Sequence, residues 1–144
     1  MIYEVKYPLV IAVVFLWIGF VCSISFMESW LKFKAPGVTL PIGLGIGSIL
    51  FKVLNRVEWI FALIIFLSYL FTKEMPFSIK QFFFILPTML LLVQTIWLLP
   101  VLDKRAHILI EGLSIPASNF HFYFVAAEVT KVVSLFIFSI SLFQ

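Results

Sequence analysis

Residues 9–27 read LVIAVVFLWIGFVCSISFM, nineteen positions without a charge. At 1.5 Å per residue a helix of this length covers roughly 28 Å, about the hydrocarbon core of a bilayer. The run is too long for the apolar part of a signal peptide. The leader before it holds Glu4 and a single lysine, and no small-x-small site follows. Bulky Phe20 and Val21 ahead of Cys22 do not suit a lipid attachment site. The segment is expected to stay in place as a membrane helix.

The rest of the chain repeats the pattern. Of its 144 residues, 63% are hydrophobic and 12% are charged, where a soluble domain has roughly half and a quarter. A chain this short cannot hide so much apolar surface from water. That excludes a soluble globular enzyme, a disordered chain and a disulfide scaffold. The lone cysteine, Cys22, has no second cysteine to bond.

Three more apolar spans follow. The second opens with Pro36, Gly37 and Pro41, then Gly43, Gly45 and Gly47. Lys52, Asn55, Arg56 and Glu58 interrupt it, and the run Trp59–Thr72 completes it. The third is uncharged from Gln81 to Leu102, with Pro87 and Pro100 near its ends. The fourth begins after Pro116, a first-turn residue, with Ser118 or Asn119 as alternative caps. The expected fold is all-α, an integral membrane four-helix transmembrane bundle, one domain over residues 1–144. Helices are expected at about 9–33, 42–71, 79–102 and 117–143.

Ten Lys/Arg against seven Asp/Glu are scattered rather than patched, so nucleic acid is not an expected partner. They read better as loop anchors. Lys32, Lys34, Lys52, Arg56, Lys104 and Arg105 fall on the side of the first and third connections; Lys6, Lys73 and Lys80 fall on the other. The positive-inside rule then puts both termini outside the cytoplasm, in a bacterial inner membrane.

Ionisable groups inside the spans cost at least a few kcal/mol each and almost always face the bundle interior. Glu128 lies about 16 Å along the fourth helix, and Glu58 about 21 Å from the far end of the second, so both carboxylates are expected near mid-depth. His121, Phe124, Glu128, Lys131 and Leu135 share one helical face. Cys22, Ser25, Ser29 and Lys32 form a small-polar stripe on the first helix, with Glu28 beside it. Thr88, Gln94 and Thr95 are the internal polar groups of the third. The candidate intramembrane cluster is thus Glu28, Lys52, Asn55, Arg56, Glu58, Gln94, His121, Glu128 and Lys131.

Three readings of that cluster stand side by side. In the first, Glu58 pairs with Lys131, and Glu128 with Arg56 or Lys52, as register-fixing ion pairs. In the second, Glu28, Glu58, His121 and Glu128 hold a cation or relay protons, as carboxylates and histidine do inside bundles. Neither Glu-x-x-His nor His-x-x-x-His is present to strengthen it. In the third, His121, Tyr123, Trp59 and Trp97 line a lipid or quinone site. Gly43-x-Gly45-x-Gly47 lacks the βαβ context of a dinucleotide site and reads as a helix contact or a flexible helix start. His107, in the charged stretch from Asp103 to His107, is expected to be solvated. A haem ligated by His107 and His121 is not expected.

The stretch Glu28-Ser-Trp-Leu-Lys-Phe-Lys-Ala-Pro36, followed by Leu50-Phe51-Lys-Val-Leu54-Asn55-Arg56-Val-Glu58, resembles the small four-helix membrane proteins of the transmembrane-protein-205 type. Their first helix likewise ends in a short Pro-containing segment before a second helix with a Phe-x-x-Leu start. Leu102-Asp103-Lys104-Arg105-Ala106 and Ser118-x-x-His121-x-Tyr123-x-x-x-x-Glu128-x-x-Lys131 resemble related bacterial proteins of unknown function. The Gly-rich stretch Gly37–Ser48 departs from the pattern. The resemblance implies a four-helix membrane fold and no settled chemistry, so no functional residue is carried over from it.

The sequence thus points to a non-enzymatic multi-pass membrane protein, handling a cation or proton or serving as an accessory subunit. The competing class is a membrane enzyme or binding protein for a lipid or quinone. Expected partners are the lipid bilayer and a cation or proton; a second copy or a larger membrane complex stays open. No cofactor is identified.

Overall fold

The computed structural model describes residues 7–72 and 79–143. Glu4, Lys6 and Lys73, used above, lie outside the described residues, as does the side chain of Lys80. Among the described residues there are four long helices and no strand. They are α1 (Pro8–Lys34), α2 (Leu40–Phe71), α3 (79–110) and α4 (Phe120–Ser141). Three of them, α1, α3 and α4, are long and apolar enough to cross a membrane. The remaining one, α2, carries Lys52, Arg56 and Glu58 at its middle.

The helices form a closed ring in chain order, α1 against α2, α2 against α3, α3 against α4, and α4 back on α1. They run alternately up and down. The end of α1, the start of α2, the end of α3 and the start of α4 meet around one cavity, where Phe33, Gly43, Asp103 and His121 come together.

The ends follow local chemistry. Pro8 opens α1 and Pro41 sits in the first turn of α2, where a missing N–H costs nothing. The chain leaves α1 through Ala35 and Gly37, whose φ of +82° suits glycine. Expectation and structure part at α3. The stretch from Asp103 to Ile110 is helical, not a loop, and α3 stops only at Gly112, with φ +79°. There Gly112 N–H bonds to Leu109 O and Leu113 N–H to Ile108 O, the paired closure that a left-handed glycine permits. Likewise α4 begins at Phe120, three residues later than expected. Pro116 is not in its first turn; the Pro116 carbonyl instead accepts a hydrogen bond from Arg105.

Two wide turns interrupt the α-helical pattern. In α1 the stretch Cys22–Glu28 is π-helical, with Ser29 N–H bonded to Ile24 O. In α3 the stretch Gln94–Leu98 is π-helical, with Leu99 N–H bonded to Gln94 O. Pro100 gives a reason for the second: it lacks the N–H that the residue-96 carbonyl would accept, and its ring crowds that carbonyl. Such turns often mark functional sites, because they re-aim side chains.

Pro87, buried inside α3, leaves the Phe83 carbonyl without its usual partner. Ser134 Oγ of α4 donates to that carbonyl at 2.9 Å. The sequence break in one helix is thus closed by its neighbour.

At the end of the bundle opposite the cavity, Val10, Val13, Val14, Ile65, Leu135, Phe138 and Leu142 make an apolar core. Tyr69, Phe84 and Phe138 close it, with ring centroids 5.7 to 6.3 Å apart. The outer faces are apolar too. Phe15, Leu16, Leu63, Phe66, Val133 and Phe136 are all exposed.

Candidate buried carboxylate–lysine site

On α4, Phe124, Glu128, Lys131, Leu135, Phe138 and Leu142 follow a 4-3-4-3-4 spacing, and all are buried. This is the inward face expected from helical periodicity. It brings one ammonium and one carboxylate into the middle of the bundle. Glu58 of α2 arrives from the other side. Glu58 is 2% exposed, and Glu128 and Lys131 are fully buried.

Lys131 bridges the two acids. Its Nζ lies 2.8 Å from Glu128 Oε1 and is ion-paired with Glu58 Oε1. Each carboxylate has further donors. Trp17 Nε1 of α1 donates to Glu58 Oε1 at 2.8 Å. Ser25 Oγ of α1 donates to Glu128 Oε2 at 2.8 Å. Gln94 Nε2 of α3 donates to Glu128 Oε1 at 2.6 Å. Both wide turns therefore end on Glu128, since Ser25 and Gln94 lie in them.

Gln94 and Thr95 are neighbours in the wide turn of α3 and serve opposite sides. Thr95 Oγ1 accepts from Asn55 Nδ2 at 3.0 Å and from Trp59 Nε1 at 2.9 Å, and donates to Leu91 O at 2.7 Å. This ties α3 to α2 one helix face away from the buried acids.

The nine candidate residues do not form one cluster. Glu58, Gln94, Glu128 and Lys131 meet. The pair expected between Glu58 and Lys131 forms, but Glu128 takes the same lysine rather than Arg56 or Lys52. Lys52 reaches outward to Asp103 at 2.9 Å, where Ser48 also donates and His107 stands 3.7 Å away. Arg56 is exposed beside Asn55 and Thr95 and makes no ion pair among the described residues. Glu28 pairs with Lys32 at 3.2 Å, one turn further along α1.

His121 is exposed at the rim of the cavity. Because α4 starts at Phe120, His121 occupies its first turn, two turns from Glu128. Glu28, Glu58, His121 and Glu128 are therefore not gathered as ligands. No group of three His, Cys, Asp or Glu side chains among the described residues is placed to hold a metal ion. Glu58 and Glu128 instead turn their oxygens to Lys131, Trp17, Ser25 and Gln94.

The cavity holds about 160 Å³, a volume near that of an engineered cavity that takes benzene. It is lined by Lys32, Phe33, Phe51, Leu102, His121 and Phe124 among others. Tyr123, Trp59 and Trp97 do not line it. Trp97, Phe120, Phe122 and Tyr123 form an outer run of edge-on rings instead. Gly43 and Gly47 make room for the end of α1. A Cβ on Gly43 would collide with the Phe33 ring, and one on Gly47 would lie 2.8 Å from Lys32 Nζ.

Trp17 and Ser25 are members of the site outside the nine candidates. The signal was present: Trp17, Val21, Ser25, Glu28 and Lys32 lie on one face at 4-4-3-4 spacing. Trp17 lies two turns before Ser25 on that face.

The buried site has two carboxylates and one ammonium, one base too few for full ionisation. Gln94 Oε1 is buried without a hydrogen-bond partner among the described residues, an acceptor with no donor. No family model, no curated protein and no solved structure matches the chain.

Proposed function

We propose that this chain is an integral membrane protein whose buried Glu58–Lys131–Glu128 triad takes up and releases one proton. The exposed apolar faces of all four helices support the membrane setting, since a soluble monomer rarely leaves so large a continuous apolar surface bare. At most 39% of the most apolar stretch of each spanning helix is buried inside the bundle, so the rest is suited to lipid. The basic residues near the cavity end, Lys32, Lys34, Lys52, Lys104 and Arg105, support a reading with that end in the cytoplasm and both termini outside it.

The observation that carries the proton reading is the imbalance of two buried carboxylates on one buried ammonium. Two carboxylates sharing a site resist full ionisation of both, so one proton is held in common. Gln94 adapts to either state. With Glu128 ionised, its Nε2 donates. A half-turn of the amide offers its oxygen to a protonated Glu128 across the same 2.6 Å contact, a separation normal for O–H···O. This triad, rather than a metal, is the functional centre of the reading.

Proton counting on the purified protein tests it. A pH-indicator titration of the wild type against Glu128→Gln should differ by one proton per chain over the range where both stay folded. Identical titration curves would overturn the proposal.

A further inference from the structure

We propose, resting on the proton reading just given, that the triad exchanges its proton with water through Glu28 and the cavity between the end of α1 and the start of α4.

The two ends of the bundle differ in kind. Toward the cavity, α1 presents Ser25, Glu28 and Lys32 in successive turns of one face. Ser25 is bonded to Glu128, Glu28 is bonded to Lys32, and Lys32 lines the cavity. Glu28 Oε1 is buried and has no hydrogen-bond partner among the described residues. It is an open acceptor between the cavity and the triad. On α4, Phe124 lines the cavity and sits one turn before Glu128. The Phe51–Phe124 pair, with centroids 5.1 Å apart, forms the floor that keeps bulk water off the triad.

Toward the other end no such ladder exists among the described residues. Leu135 and Phe138 follow Lys131 on the same face, fully buried. Ser134 and Ser139 direct their hydroxyls to the Phe83 and Phe136 carbonyls. The Tyr69, Phe84 and Phe138 rings close the end.

The groups that face the triad are few. From α1 they are Trp17, Cys22, Ser25 and Glu28, and from α3 the uncharged Gln94; His121 of α4 stands at the cavity rim. Lys52 and Arg56 of α2 turn to the outer face. Glu28 is the one acidic step between cavity and triad among the described residues. A hydronium ion in the cavity gives its proton to the Glu28 carboxylate and leaves as water. Glu28 passes a proton toward Ser25, whose hydroxyl gives its own hydrogen to Glu128 Oε2 and is restored by the incoming one. Release reverses each step.

Time-resolved infrared spectroscopy of the protein in lipid nanodiscs, after an acid jump, follows the carboxyl C=O band of the triad. Glu28→Gln should slow its rise about a hundredfold, the scale of a lost proton relay, with the final amplitude of the triad's own band unchanged. Glu28→Asp should restore part of the rate. Phe138→Leu, in the closed end, should leave the rate unchanged. Ser25→Ala should slow exchange as Glu28→Gln does, and carries the test if the latter variant does not fold. A wild-type rate in both Glu28→Gln and Ser25→Ala, or a faster rate in Phe138→Leu, would overturn the access route alone. Absence of any titrating carboxyl band in the wild type would overturn the proton reading and the route with it.

Discussion

Removing Lys131 isolates the triad's charge balance. Its ammonium lies 2.8 Å from Glu128 Oε1 and also pairs with Glu58, with all three groups buried. At an effective dielectric constant near 20, one such contact is worth about 6 kcal/mol of Coulomb energy before desolvation is subtracted. Breaking a buried pair by removing one partner costs about 3–5 kcal/mol net, because the orphaned charge stays inside. Lys131→Met should therefore destabilise the folded protein by about 3–5 kcal/mol. The acid substitutions should behave differently. Glu128→Gln keeps a hydrogen-bonding group and leaves one carboxylate on one ammonium, so its cost should stay within about 1 kcal/mol, the worth of one hydrogen bond. The triple variant Lys131→Met, Glu58→Gln, Glu128→Gln holds no buried charge and should recover most of the loss. The assay is reversible unfolding in mixed micelles, read by circular dichroism. Equal penalties for Lys131→Met and Glu128→Gln, or strict additivity in the triple variant, would refute the charge count.

The remaining predictions concern the scaffold. Ser134→Ala should cost about 1–3 kcal/mol by stranding the Phe83 carbonyl, and Pro87→Ala in the same chain should recover it by restoring the N–H of residue 87. A double-mutant cycle on unfolding free energies measures the coupling, and additive effects would count against it. Gly45→Ala meets no atom within 4 Å and should raise stability by up to about 1 kcal/mol through helix propensity. Gly43→Ala should instead lower the melting temperature, since its methyl group displaces Phe33. Gly112→Ala should cost about 1 kcal/mol or more because of its positive φ, and amide exchange should show fraying confined to the end of α3.

Much of the architecture was legible from hydrophobic run length alone. Uncharged runs at 9–27 and 81–102 mark most of α1 and α3, helices long and apolar enough to cross a membrane. The inward face of α4 was legible because its apolar and charged residues share one 3.6-residue period. Helix ends were harder. The close of α3 depends on Gly112, and the charges at Asp103, Lys104 and Arg105 suggested a loop although they continue the helix. That difference, with the later start of α4, moved His121 from the bundle interior to the cavity rim. Partner choice was least legible. Three cations near mid-span could each have met Glu128, and periodicity does not say that Lys52 and Arg56 turn outward while Lys131 bridges both acids. The wide turns that aim Ser25 and Gln94 at Glu128 shift the register of α1 and α3 locally, which a fixed period cannot express.

The central claim is that the triad holds one shared proton. Static infrared difference spectra of the wild type, in hydrogen and deuterium oxide, read it directly through the C=O stretch of a protonated carboxyl in an apolar setting. One such band per chain is expected near neutral pH, downshifted by deuteration, and lost in both Glu58→Gln and Glu128→Gln, where a single carboxylate faces Lys131. A wild-type spectrum with no protonated-carboxyl band, or a band that survives unchanged in both variants, would contradict it.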